Sequence, residues 1–160
     1  MHEYALAALI FAGVTISSAA YAETIKPIKA SKSDLAGAIF ARTGAVTTAD
    51  HGVHGTDVVT FTSTDNAYQT GVYRSGPAHE EIAGPQGLPY NEFLYFLSGS
   101  VTLTSSDGSV MVVKTGEAVT LPKGWTGRFD TPGYTKLYAT YGPGDSKNQT
   151  GAARRPQAAE

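Results

Sequence analysis

Glu92-Phe-Leu-Tyr-Phe-Leu-Ser-Gly99, Thr104-Ser-Ser-Asp-Gly108 and Gly116-Glu-Ala-Val-Thr-Leu-Pro122-Lys-Gly124 decide the fold of this chain. Short runs rich in β-branched and aromatic residues lie between these glycines: Phe93 to Leu97, Val101 to Thr104, Val110 to Val113, Ala118 to Leu121 and Tyr134 to Tyr141. Ser-Gly, Asp-Gly, Thr-Gly and Lys-Gly pairs separate them at a spacing of about ten residues, the pattern of an all-β sandwich or barrel. Asp107-Gly108 predicts a tight I′ hairpin turn, which needs φ > 0 at both central positions. Upstream, Asp57 to Thr62, Thr70 to Arg74 and Ala78 to Ile82 add further strands, enough to close a small jelly roll.

With these residues in view, the chain resembles a known family. Glu92 and Gly99, followed by Gly116, Pro122 and Gly124, are similar to the two cupin motifs. Pro122-Lys-Gly-Trp-Thr-Gly-Arg-Phe129, with Lys136-Leu-Tyr138 beyond it, resembles the cupin_3 group, whose best-named member is the (S)-ureidoglycine aminohydrolase domain. The resemblance spans roughly Gly71 to Tyr141. It implies a single RmlC-like jelly roll, a double-stranded β-helix barrel, here with a short N-terminal helical segment. It also implies a divalent transition metal held by three histidines and the glutamate, imidazole being suited to such metals. The histidines of the first motif would fall on Gln86 and Leu88 or on Pro85 and Gly87, and that of the second on Gly127. Of that ligand set only Glu92 is present, so no cofactor is predicted. The alternative is a metal held by a displaced set of His79, Glu81 and Glu92.

Composition bounds the function. The chain has 160 residues, 41% hydrophobic and 16% charged, which suits one domain with a real core. A formal net charge of −2 gives no basic footprint for nucleic acid. The absence of cysteine excludes disulfides and thiolate metal sites. Residues 1–22 read as a signal peptide: an apolar run from Ala5 to Ile16, too short for a membrane span, leads to Ala20-Tyr-Ala22 as a cleavage site. A periplasmic or secreted protein beginning at Glu23, with no stable membrane span, is expected. Residues 23–45 read as a leader with a short helix, for which Ser33 offers an N-cap. The barrel is placed at 46–142. Residues 143–160, rich in Gly, Pro, Ala and Gln without periodicity, read as a disordered tail.

Strand alternation places the candidate site. If Glu92 points into the barrel, Leu94 and Phe96 follow it, while Phe93, Tyr95 and Leu97 point out. A strand apolar on both faces is covered on both, so a homodimer partner or the leader is expected against the outer face. A carboxylate among apolar neighbours needs a cation or a raised pKa, and Lys136 on the last strand is the candidate. Lys136 shares its face with Tyr134, Tyr138 and Thr140. This set suits a pocket for a small polar metabolite, with Glu92, Lys136 and Tyr138 as catalytic candidates and Trp125, Tyr134, Leu94, Phe96 and His79 as lining. Trp125 is placed at the barrel mouth as a lid, a stacking platform or a packing residue. Three readings stay open. The first is a binder or metal-independent enzyme in which Glu92 moves a proton and Lys136 or a tyrosine steadies an oxyanion, as in isomerisation, elimination or decarboxylation. The others are a metal-dependent hydrolase with displaced ligands and a non-catalytic binding or sensory module.

Overall fold

The computed structural model describes residues 25–50 and 53–142. The signal-peptide and tail readings fall outside them. Strands β1 (Val46–Asp50), β2 (Val53–Thr62), β3 (Tyr68–Ser75), β4 (Ala78–Ile82), β5 (Asn91–Ser105), β6 (Val110–Lys114), β7 (Ala118–Leu121) and β8 (Gly127–Tyr141) follow a short helix α1 (Lys32–Leu35) and a 3-10 turn at Ala38–Ala41. All pairings are antiparallel, in the order β1-β2-β3-β8-β5-β6, with β4 added to β8 and β7 to β5.

The barrel closes because β5 and β8 are long enough to serve two sheets. Residues 134–141 of β8 pair with β3, and residues 127–131 pair with β4. Likewise β5 pairs with β7 through Glu92 to Tyr95 and with β6 through Ser100 to Thr104. Between these halves the β5–β8 register shifts twice, at Phe96/Ser98 and Ser100/Thr102, and such bulges bend a strand. This corrects the sequence reading, in which Gly99 ends one strand and begins another. Gly99 (φ +76°) lies inside β5, and a Cβ there would stand 2.0 Å from the Gly133 carbonyl oxygen. The Asp107-Gly108 turn differs too: only Gly108 takes positive φ, so it is not a I′ turn. Asp107 instead accepts hydrogen bonds from the Ser109 amide and hydroxyl.

Between the two sheets lies one core, with Ile82, Leu88, Leu94, Phe96, Val101, Phe129, Tyr134 and Tyr138 among its buried members. Fully burying a side chain of the Leu or Phe class contributes about 1.5–3 kcal/mol. A second cluster lies outside the barrel, where Ile39, Leu35 and Phe40 of the leader cover Val58, Val72, Leu97 and Leu137. Thus the leader covers part of the outer face of β5, while Phe93 and Tyr95 stay 45% and 37% exposed. The helix cap is Ser31 rather than Ser33: Ser31 Oγ accepts from the Asp34 amide, and Asp34 accepts from the Ser31 amide in return. The box needs a side-chain acceptor at the third helical position, which from Ser31 is Asp34. Among the described residues no helix is long and apolar enough to cross a membrane.

Candidate functional site

Alternation along β8 turns Tyr134, Lys136, Tyr138 and Thr140 inward, and all four are buried. Along β5 it turns Glu92, Leu94 and Phe96 inward, as the sequence predicts. Glu92 pairs across the ladder with Thr140, and Lys136 pairs with Phe96. The lysyl stem must therefore run along the barrel to bring its Nζ to 2.7 Å from Glu92 Oε1. Lys136 has no exposed surface and Glu92 retains 1%. Around the ammonium stand the rings of Tyr73, Tyr134 and Tyr138, with centroids 5.6, 5.7 and 5.8 Å away, within the range in which an aromatic face attracts a cation.

A second carboxylate shares this interior. Asp57 of β2, 3% exposed, accepts hydrogen bonds from the Tyr138 hydroxyl at 3.1 and 3.3 Å. Burial pushes the Tyr138 hydroxyl well above the usual phenol range, and the neighbouring charges of Asp57 and Glu92 push it further. At neutral pH Tyr138 is therefore a hydrogen-bond donor and not a base. The hydroxyl reaches Asp57 because Gly71 has no side chain: a Cβ there would stand 2.4 Å from Tyr138 Oη. Gly55 plays the same part for Tyr73, with only 2.0 Å between its would-be Cβ and the hydroxyl. Asp57 escapes the sequence reading. A lone acid flanked by Thr56 and Val58 in a strand was the available signal, but its partner is 81 residues away.

Of the other predicted lining residues, His79 and Trp125 are not brought to this centre. On β4 it is Ile82 that is buried, while His79 and Glu81 are exposed. His79 points outward and its Nδ1 bonds the Asp130 carboxylate. The alternative metal set of His79, Glu81 and Glu92 is accordingly split between the outside and the inside of the barrel. Trp125 is half-buried and packs on the core, with its indole N–H donating to Ser105 Oγ at 3.1 Å. It closes that part of the barrel and presents no stacking platform at Glu92. Leu94, Phe96 and Tyr134 are packed core, and Tyr134 contacts Tyr73, Phe96 and Phe129 edge-on or tilted at 5.4–5.9 Å. Neither the surface groove bordered by Phe61 and Tyr68 nor the one bordered by Glu81 and Arg128 is lined by Glu92 or Lys136.

The residues at the expected metal positions do not fit a cupin metal centre. Leu88 is buried and apolar, Gln86 is exposed, and a side chain at Gly127 would meet the Thr104 carbonyl oxygen 2.2 Å from its Cβ. The Lys136 ammonium already supplies Glu92 with a positive partner at Oε1. Among the described residues no three His, Cys, Asp or Glu side chains cluster as a metal site.

Two antiparallel sheets sharing bent strands, with a motif glutamate turned inward, define a single cupin jelly roll. Residues 83–138 match the family model of EutQ-like cupin domains. Among solved structures the chain is similar to a protein of unknown function from Pseudomonas syringae pv. tomato str. DC3000, at 22% identity and a TM-score of 0.53, covering 60% of this chain. It spans only 43% of that protein's length. It is also similar to the EutQ protein of Clostridium difficile, at 21% identity and a TM-score of 0.50, covering 64% of this chain and 79% of that one. These likenesses are of fold. No curated protein matches the chain.

Proposed function

We propose that this chain is an exported cupin-fold protein that binds a small polar metabolite at the polar level of its barrel, around Glu92, Lys136, Tyr138 and Asp57. The observation that carries the reading is the fully buried Lys136–Glu92 contact of 2.7 Å. A buried ion pair is a poor way to stabilise a barrel, since well-packed apolar residues of similar volume commonly do as well or better. A site for a polar ligand gives the pair a use. The Lys136 ammonium, already bonded to Glu92, would turn a donor to a ligand carboxylate or a developing oxyanion, and Glu92 or Asp57 would accept from a ligand hydroxyl or amine. The same groups suit proton transfer with oxyanion stabilisation, hence isomerisation, elimination or decarboxylation. Among the described residues, metal-dependent hydrolysis of the ureidoglycine aminohydrolase kind finds no clustered donor set. Because the pair is sealed in this conformation, a ligand must displace packed side chains to reach it.

Binding is tested by thermal shift of the chain starting at Glu23 against a panel of small hydroxy acids, amino acids and sugars. A ligand that binds only the native state at 100 times its Kd adds about 2.7 kcal/mol. We expect at least one stabilising compound for the parent chain and none for the double variant Glu92→Gln/Lys136→Met. Equal stabilisation of both chains, or of neither, would remove the barrel from consideration. Export has a separate readout. The intact mass of protein recovered from the periplasm of a Gram-negative host should begin at Glu23, and a full-length product retained in the cytoplasm would refute it.

A further inference from the structure

Away from the barrel interior, the register of β4, β8 and β5 sets Glu81, Arg128 and Thr104 in one cross-strand row. All three border a groove of about 470 Å³, within the size range of small-molecule sites. Glu81 and Arg128 are direct ladder partners, yet among the described residues they form no ion pair with each other. The ionic contact of Arg128 is with Asp130, through Nε at 3.9 Å, and its side chain is 52% exposed. A carboxylate and a guanidinium thus stand on adjacent strands along one groove.

Between and below them the lining is hydroxylic. Ser105, Ser106 and Thr126 join Thr104 in the wall, and Gly84 and Gly127 leave backbone bare. The Ser105 hydroxyl accepts from the Trp125 indole N–H, which leaves its own proton free to be donated. At Gly127 there is no room for a side chain, because a Cβ would stand 2.2 Å from the Thr104 carbonyl oxygen and 2.8 Å from the Trp125 ring. Trp125 thus packs close to the Gly127 backbone that borders the groove.

We propose that this groove binds a polyhydroxylated neutral molecule of monosaccharide or cyclitol size. Every hydroxyl of such a ligand both donates and accepts, which matches a lining that includes Thr104, Ser105, Ser106 and Thr126. A vicinal diol can accept from the planar fork of Arg128 and donate to Glu81. Arg128 is opposed by Asp130 as well as by Glu81, so the groove holds no surplus positive charge for an anion, and its hydroxyls suit a neutral polyol. The site is independent of the barrel reading and shares no residue with it.

The test is amide chemical-shift mapping on the nitrogen-15-labelled chain, titrated with D-glucose, D-galactose and myo-inositol, with cyclohexanol as the control lacking vicinal hydroxyls. At least one polyol should give saturable shifts centred on Gly84, Ser106, Thr126 and Arg128, and cyclohexanol none. Arg128→Leu and Glu81→Gln change exposed side chains, and each should weaken the binding about tenfold, the scale of one charge-assisted hydrogen bond. Glu92→Gln/Lys136→Met should leave it unchanged. Absence of a saturable shift with all three polyols, shifts centred on the barrel interior, or unaltered affinity in both groove variants would overturn the proposal.

Discussion

Lys136 reaches Glu92 inside a shell of tyrosine faces, and the energy of that contact lies mainly in what happens when one member is lost. Removing a single partner leaves an uncompensated charge in the interior, for which about 3–5 kcal/mol is typical. We therefore expect Glu92→Gln and Lys136→Met each to lower stability by about that amount. The double variant should cost less than the sum, because neither charge remains unpaired. Denaturant midpoints of the parent, both singles and the double give the coupling, and strict additivity would show that the residues do not interact. Asp57 is a second buried acid in the same interior. Glu92→Gln removes one acid from an interior where Asp57 still accepts from the Tyr138 hydroxyl, whereas Lys136→Met leaves two buried carboxylates and removes the ammonium that pairs with Glu92. Lys136→Met should accordingly be the more damaging single change. The reverse order in the same midpoints would show that Asp57 does not depend on Lys136.

Among the elements, the capped helix turn of the leader has a titratable support. Asp34 accepts from the Ser31 hydroxyl at 2.7 Å and the Ser31 amide at 2.8 Å, and Arg42 also bonds it. The Ser31 hydroxyl and amide, with help from Arg42, hold the Asp34 carboxyl below its ordinary value. A carboxyl whose folded pKa is lowered contributes stability that is present above its unfolded pKa, about 3.9, and is lost as pH falls through the folded value. Asp34→Asn should thus be less stable than the parent at pH 7, with the gap closing below about pH 4. A gap of constant size from pH 7 to pH 3 would assign Asp34 a role unrelated to its charge. The strands show where sequence legibility stops. Glycine and alternation mark the strands, because each strand's own side chains fix which face is apolar. Whether Ser98-Gly99 turns the chain back or only bends it is decided by the opposing Gly133 backbone, far away in sequence. Likewise β4 reads equally well in either phase, and only its pairing with β8 turns Ile82 inward and His79 outward. Glu92, Lys136 and Tyr138 were legible because two ordinary strands carry them in fixed alternation, while Asp57 joins them through a contact that no local pattern records.

For the whole molecule, the open question is the outer face of the sheet built from β3, β8, β5 and β7. Its register sets Thr70, Ala139, Phe93 and Thr120 in one row and Val72, Leu137, Tyr95 and Ala118 in the next. The leader covers Val72 and Leu137, but Phe93 and Tyr95, with Tyr68 and Tyr141 nearby at 41% and 62% exposure, form an uncovered aromatic surface. We propose that a second copy of the chain covers it. Tyrosine and phenylalanine are enriched in interface cores, and no Lys, Arg, Asp or Glu stands in either of the two rows. A stable pairing needs about 800 Å² from each partner, more than these side chains alone supply, so the rim of β3 and the leader must take part. Phe93→Asp and Tyr95→Lys alter half-exposed positions and should leave the barrel folded, because neither belongs to a buried cluster. Sedimentation velocity of the parent should show a concentration-dependent dimer, and both variants should be monomeric with unchanged denaturant midpoints at low protein concentration. A parent chain that sediments as a monomer throughout the micromolar range would mean that the aromatic face has some other partner or none, and the dimer would have to be abandoned.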